Sequence, residues 1–224
     1  MCRGLYENNK ENILYGKIDY TMISLMSPKI NVLIVGGGRA ALTKARNFVK
    51  KGCRVWVISR EFANEFSELS QYSNLKCIKN EYSKQYIRDK HIVVIATNCE
   101  ETNKTIRDNC EELYKLYIDC SIPKKGLCIT TCQRSTKSTT FGINTNNFSP
   151  KTSAFLADKI KDKLEEYDDF VSFTVFVRNE IKKLENKNEI MKFICSEDFL
   201  FFYNKGMAKR VLQMFCPNTE LFKD

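Results

Sequence analysis

The chain has 224 residues, of which 43% are hydrophobic and 28% charged, with a formal net charge of +9 at pH 7. That length suits one full α/β domain with a helical or dimerising appendage, or two small domains. No apolar run approaches the roughly 20 residues of a membrane span, and the charge excess suggests an anionic partner (nucleic acid, an acidic surface or a polyanionic small molecule) or serves solubility alone.

The N-terminal "MCRGLYENNKENILYGKIDY" is polar, mixed in charge and without the apolar core of a secretory signal. Residues 1–28 therefore read as a lead, disordered or an extra strand, of a cytoplasmic protein. From residue 31 to about 123 strands alternate with helices. Residues 32–35 are a continuous apolar strand, as in a parallel sheet covered on both faces. Residues 40–51 read as a helix with Ala41, Ala45, Phe48 and Val49 inward and Gly52 just past its end. "RVWVIS" (54–59) is a second strand, "EFANEFSELSQY" a helix, "LKCIK" (75–79) a third strand and "HIVVIATN" (91–98) a fourth. Residues 100–115 read as a helix and 116–119 as a fifth strand. Short connections throughout predict a doubly wound parallel sheet.

The pattern then changes. Residues 127–131 and 139–143 are short β-like runs. A helix starts at Ser149-Pro150, with Ser as cap and Pro at the first helical position, and Phe155, Leu156, Ile160 and Leu164 lie along one side of it. "FVSFTVFVRNEIKKLE", "NEIMKFICSEDFLFFY" and "GMAKRVLQMFC" read as further helices too apolar for a free tail. The predicted organisation is a lead (1–28), a nucleotide-binding domain (29–126), a dimerisation segment (127–167) and a helical domain (168–224), with a second copy of the chain as partner.

None of the ten cysteines forms C-x-x-C, and His91 is the one histidine. Neither zinc nor any other metal site is expected. The thiols read as buried and free, with Cys53 and Cys77 acting as small hydrophobes in or beside strands. No basic stripe is interleaved with aromatics, so nucleic acid is not an expected partner, nor is a membrane. His91 precedes the fourth strand, at the wrong end of the sheet for a ligand.

The chemistry is concentrated at Gly36-Gly37-Gly38-Arg39-Ala40-Ala41, which fits G-x-G-x-x-A between a buried strand and an amphipathic helix. Gly36 allows the tight turn, Gly38 lets backbone approach a pyrophosphate, and Ala41 permits close helix–strand packing. The helix start offers free N–H groups and partial positive charge to phosphates. The second strand ends Ile58-Ser59-Arg60-Glu61, without an acid at its tip to grip ribose hydroxyls. Glu61 is late and Arg60 suits a 2′-phosphate, so the residues alone leave NAD and NADP open.

With this turn, the "HIVVIATN" strand and the Ser-Pro helix start, the chain resembles the precorrin-2 dehydrogenase/sirohydrochlorin ferrochelatase family, the dehydrogenase–chelatase half of siroheme synthase, over about residues 20–190. "IVGGGRAALTKARNFVKKGCRVWVIS", "VVIATN", "IPKKGLCI" and "FSPKTSAFLADKIKDKL" are similar to its successive blocks. The resemblance implies a Rossmann domain, a small dimerisation segment and a C-terminal helical domain in an intertwined homodimer. It implies NAD+-dependent oxidation of precorrin-2, an anionic tetrapyrrole, to sirohydrochlorin in siroheme or cobalamin synthesis, with ferrous iron insertion in many members. Arg39 and Ala40 would meet the cofactor by backbone, Arg60 and Glu61 would lie on its adenosine side, and Thr97 beside the nicotinamide ribose. Lys124 and Lys125, with Arg134, Lys137 and Lys151 as further candidates, would hold substrate carboxylates.

Two positions depart from the family. Its acid/base Asp, two residues before the proline that aligns with Pro123, is Ser121 here, and the nearest acid is Asp119. Its loop serine before the second proline is Thr145, followed by Asn146 and Asn147 where the family has glycines. Asp119, Ser121 and Thr145 are thus the candidate catalytic residues. The departures bear harder on chelation, which needs a base, than on hydride transfer, which mainly needs alignment. A catalytically degenerate protein that binds a dinucleotide or tetrapyrrole and acts through partners is the alternative reading.

Overall fold

A computed structural model describes residues 20–145 and 149–215. The lead before residue 20 and the Asn146–Asn147 substitution lie outside the described residues. The chain packs into two compact units, one from Asp19 to Thr130 and one from Thr131 onward.

The first unit is built on five parallel strands. In chain order they are β1 (Asn31–Val35), β2 (Arg54–Ser59), β3 (Leu75–Lys79), β4 (Ile92–Ile95) and β5 (Leu116–Asp119), in the spatial order β3-β2-β1-β4-β5. Ile34 pairs in register with Val57 on one side and Val94 on the other. Because side chains alternate along a strand, Val32, Ile34, Val55, Val57, Val94 and Ile118 face one way. There Ala41, Ala45 and Val49 of helix α1 (Arg39–Lys50) cover them. Leu33, Val35, Val93 and Ile95 face the other way, toward Ile106 and Cys110 of helix α2 (Glu100–Glu112). Alanines four apart on α1 let its backbone approach the sheet closely, and Gly52, at φ +89°, follows its end. The chain runs outward from β1 to β3, then returns to start β4 on the other side of β1. The crevice at the carboxyl ends of β1 and β4 is therefore the topological switch point of the sheet.

Several expectations differ in detail. "EFANEFSELSQY" forms a 3-10 helix, Asn64–Leu69, that seats Phe66 and Leu69 in the core. Cys77 lies exposed on the edge strand β3, and Cys99 and Cys195 are exposed as well, so only Cys53 and Cys110 of the described thiols are buried. The β-like run 127–131 is not a strand.

In the second unit β6 (Cys132–Ser135) and β7 (Thr140–Ile143) form an antiparallel hairpin. Five helices follow: α3 (Pro150–Glu165), α4 (Asp168–Glu180), α5 (Lys187–Ile194), α6 (Glu197–Asn204) and α7 (Ala208–Phe215). The expected helix over 188–203 is broken at Ser196, whose hydroxyl accepts the Phe199 N–H at 3.3 Å and starts α6 afresh. Val177, Ile181, Ile190, Ile194, Phe199 and Leu212 form the core of these helices. On α3, Phe155, Leu156 and Ile160 are turned to solvent. They are 61%, 40% and 41% exposed, and the buried positions are Ser153 and Ala157. Among the described residues no helix is long and apolar enough to cross a membrane.

The hairpin is tied to α4 by Asp168. Its carboxylate accepts from the Thr136 hydroxyl (2.6 Å), the Lys137 and Ser138 N–H groups (3.0 Å each) and the Ser138 hydroxyl. These bonds, led by those from Ser138 and Thr136, lower its pKa from the ordinary 3.8 to about 2. A carboxylate with a lowered folded-state pKa stabilises the fold fully above its unfolded value, and the contribution is lost as pH falls through the folded value. Amide protection at residues 137–138, followed by hydrogen exchange, is expected to weaken between about pH 4 and pH 2. Asp168→Asn should weaken it already at neutral pH.

Candidate functional site

The turn between β1 and α1 divides its work among three glycines. Gly36 has φ +122°, and a Cβ there would lie 2.2 Å from the Ala96 carbonyl oxygen. A Cβ on Gly37 would lie 1.9 Å from the Glu61 carbonyl oxygen. The Gly37 carbonyl in turn accepts the Ala63 N–H at 2.9 Å, and the Gly36 N–H reaches the Ile58 carbonyl at 2.8 Å. Both residues are buried and required by their own surroundings. Gly38 is different. It is exposed, at φ −86° and ψ −170°, and a Cβ would meet nothing within 4 Å. Its missing side chain leaves room above the start of α1, where no side chain caps the helix and no acid stands in the first turn. This is the geometry of an open anion cradle at a helix N-terminus. Ala41, fully buried, packs the helix onto the strand as its place in the motif requires.

Across the switch point, β4, β5 and α2 assemble a polar network. The Thr97 hydroxyl donates to Asn103 Oδ1 at 2.5 Å, and Asn103 Nδ2 donates to the Thr97 carbonyl (3.1 Å) and to Ser121 Oγ (3.2 Å). Ser121 Oγ donates to Asp119 Oδ1 at 2.5 Å, and the N–H groups of Ser121 and Ile122 reach the same oxygen at 2.8 and 2.9 Å. Arg107 Nη1 holds Asp119 Oδ2 at 2.5 Å, while its Nη2 meets Glu100 at 2.7 Å, and Lys125 meets Glu100 at 3.0 Å. Asp119 is 1% exposed and Arg107 7%. Burial alone would raise the Asp119 pKa, but the bonds from Ser121, the Ile122 N–H and Arg107 outweigh it and hold the carboxyl below the ordinary carboxylate range. Every oxygen of Asp119 is engaged and its charge is neutralised by Arg107. That is not the setting of an acid/base group near neutral pH, which needs a pKa close to the working pH and access to the reacting proton. In this arrangement the carboxylate holds the loop after β5.

Thr145, in the second unit, is likewise committed to its surroundings. Its hydroxyl accepts the Ser149 N–H at 3.0 Å and lies 3.2 Å from Ser153 Oγ, so it braces the start of α3. Arg39 and Ala40 are the first exposed residues of α1. Arg60 and Glu61 are exposed beyond β2, with Arg60 3.8 Å from Glu81. Of the proposed carboxylate-binding cations, Lys124 and Lys125 are exposed after β5. Arg134 is paired with Asp158 at 2.6 Å and Lys137 with Asp169 at 3.6 Å. His91 is at the opposite end of the sheet from the glycine turn, its Nδ1 accepting the Asn31 N–H at 2.9 Å. Among the described residues no group of three His, Cys, Asp or Glu is placed to hold a metal ion.

Sequence reasoning missed Gly37, Glu100, Asn103 and Arg107. A signal existed for the last three. They recur at i, i+3 and i+7 along α2, so a polar row shares the helix with buried Ile106 and Cys110.

The two kinds of glycine should separate on substitution. Gly38→Ala is expected to leave the melting temperature unchanged while weakening pyridine-dinucleotide binding by tenfold or more. Gly36→Ala, driven into the Ala96 carbonyl, should lower the melting temperature itself. Calorimetric titration beside thermal melts reads both.

A family profile described as "Putative NAD(P)-binding" matches residues 23–131. The siroheme synthase of Saccharophagus degradans is 33% identical over 81 residues, 36% of this chain and 18% of that protein. The chain thus spans less than a fifth of that relative's length. The precorrin-2 dehydrogenase of Priestia megaterium is 22% identical over 178 residues, covering 75% of this chain and 86% of that one. The solved structure titled SirC, precorrin-2 dehydrogenase, superposes with a TM-score of 0.64 at 20% identity over 87% of this chain and 98% of that chain, a likeness of fold. The G-x-G-x-x-A turn thus stands at the switch point of a five-stranded parallel sheet, in a chain similar in sequence to siroheme synthases and to a precorrin-2 dehydrogenase.

Proposed function

We propose that the protein oxidises precorrin-2 to sirohydrochlorin with NAD+ as hydride acceptor. The reaction balances as precorrin-2 plus NAD+ giving sirohydrochlorin, NADH and one proton. The observation that carries the reading is the open position at Gly38, on the same carboxyl edge of the sheet as Thr97 and Ser121. When bound there, the pyridine dinucleotide supplies the hydride-accepting ring. Its diphosphate would be held by the backbone of Gly36–Ala40 and its adenosine side by the Arg60–Glu61 segment. The protein's own task is to hold a tetrapyrrole edge-on to that ring and keep water away, since aligned reactants account for much of a hydride-transfer rate.

The same geometry argues against ferrous iron insertion as a second activity. Insertion requires a base to take ring N–H protons. Ser121 stands where the family has that base, and the adjacent carboxylate of Asp119 is held ionised and enclosed. The protein is read as a dehydrogenase acting as a homodimer. Phe155, Leu156 and Ile160 on α3 and Val175 and Phe176 on α4 are large apolar side chains left in contact with solvent, the kind of surface that a second copy covers.

Anaerobic incubation with precorrin-2 and NAD+ should produce NADH in step with sirohydrochlorin. Dinucleotide binding without NADH above background would overturn the reading in favour of a binding protein without turnover. The dimer is tested separately: Leu156→Glu with Ile160→Glu is expected to halve the mass measured by light scattering, and an unchanged mass would overturn it.

A further inference from the structure

The network around Asp119 has a direction, and it follows from the two ends. The Thr97 carbonyl can only accept, so the Asn103 group 3.1 Å from it is the amide nitrogen. The same nitrogen faces Ser121 Oγ at 3.2 Å and gives it a second hydrogen. Ser121 Oγ therefore accepts a hydrogen bond from one side, and its own hydroxyl hydrogen is directed to Asp119 Oδ1 at 2.5 Å. Asp119, gripped on its other oxygen by Arg107, is an acceptor with no proton to return. A serine hydroxyl has one hydrogen and two lone pairs. Here the hydrogen is spent on Asp119 and one lone pair on Asn103.

We infer that Asp119 is a positioning residue that makes Ser121 an acceptor-only hydroxyl, whose remaining lone pair receives a ring N–H of a metal-free tetrapyrrole. The inference rests on the tetrapyrrole reading above. Ser121 is exposed just past the carboxyl end of β5, the side of the sheet where ligands of such folds lie. Its backbone is fixed as well, because the N–H groups of Ser121 and Ile122 both end on Asp119 Oδ1. The hydroxyl thus meets a ligand without rotamer freedom to lose. A free serine could turn its hydrogen toward a metal-bound or N–H-bearing macrocycle alike. An acceptor-only serine discriminates: it bonds a pyrrolic N–H, a donor that a macrocycle with four metal-bound nitrogens does not offer. Ser121 would then recognise the metal-free ring, and Asp119 acts only through it.

The test is the binding of sirohydrochlorin and of its nickel complex, whose square-planar metal takes axial ligands only weakly, measured by fluorescence quenching for wild type, Ser121→Ala, Asp119→Asn and the double variant, with melting temperatures alongside. Ser121→Ala is expected to weaken sirohydrochlorin roughly three- to tenfold, the effect of one hydrogen bond, and to leave the nickel complex within twofold. Asp119→Asn should weaken sirohydrochlorin similarly in the wild-type background and by less than twofold once Ser121 is alanine. Equal losses for the two macrocycles, or no loss in Ser121→Ala, would overturn the inference. Ser121→Ala alters an exposed side chain, so it decides the matter even where Asp119→Asn fails to fold. NADH production by the wild type is read separately: its absence while sirohydrochlorin still binds defeats the dehydrogenase reading alone, and wild type that binds neither macrocycle defeats both.

Discussion

A single enclosed ion pair organises the carboxyl edge of the sheet. Asp119 ends β5, Arg107 comes from α2, and the two meet at 2.5 Å with the carboxylate side chain wholly out of solvent. Removing one partner of an enclosed pair costs up to about 3–5 kcal/mol when the other charge is left uncompensated; here Glu100, at 2.7 Å, still meets Arg107 if Asp119 is removed. The pair does more than anchor α2 to β5. Asp119 also accepts two backbone N–H groups of the following loop and one hydroxyl, so the position of Ser121 is set by a charge that cannot move. Glu100 and Lys125 extend the pair into a quartet of two acids and two bases. The loop after β5 is consequently as well fixed as a strand, although it has no ladder of its own.

The glycine turn shows a second constraint, imposed from inside at two positions and left open at the third. Gly36 and Gly37 are glycines because backbone from β4 and from the loop after β2 crowds the space where a Cβ would stand. Gly38 has no such neighbour. Gly38 is therefore the one glycine of the three that its neighbours do not require, and its place at the helix start is the one left open. The pattern G-x-G-x-x-A assigns importance to the first and third glycines. The structure adds that the middle one is as tightly bound as the first.

What could be read from the sequence follows the same division. The strands were legible because runs such as "NVLIV" and "IVVI" have no amphipathic alternative, being buried on both faces of a parallel sheet. α1 was legible from alanines four apart. The 3-10 helix at Asn64–Leu69 was not, since two buried residues three apart suit either helix type. The break at Ser196 was hidden inside a continuous apolar pattern, and only the local bond from Ser196 Oγ to the Phe199 N–H decides it. The apolar stripe of α3 was legible, and it faces solvent in the single chain. Periodicity reports a face and not what covers it. At the site, Asp119 could be singled out from its place at a strand end, but its partners could not. Arg107 lies 12 residues earlier in sequence, and nothing in the spelling pairs the two.

The network also changes how the +9 charge is to be understood. Near the carboxyl edge the cations Arg107 and Lys125 are matched one for one by Asp119 and Glu100, and in the other unit Arg134 and Lys137 are each set against an aspartate. The excess is therefore not concentrated in a preformed clamp on these residues. A surplus spread over the surface acts on a polyanion at a distance, within a Debye length of about 8–10 Å at physiological salt. It raises encounter rates more than it fixes an orientation, and orientation is left to neutral donors and acceptors held in place, of which Ser121 is the best constrained. Charge would then govern how fast a polycarboxylate arrives and how strongly salt slows it. On the reading proposed above, the hydrogen-bond chain ending on Asp119 would govern whether a metal-free ring is accepted, and that part is expected to be nearly independent of ionic strength, because Asp119 and Arg107 are buried and already paired.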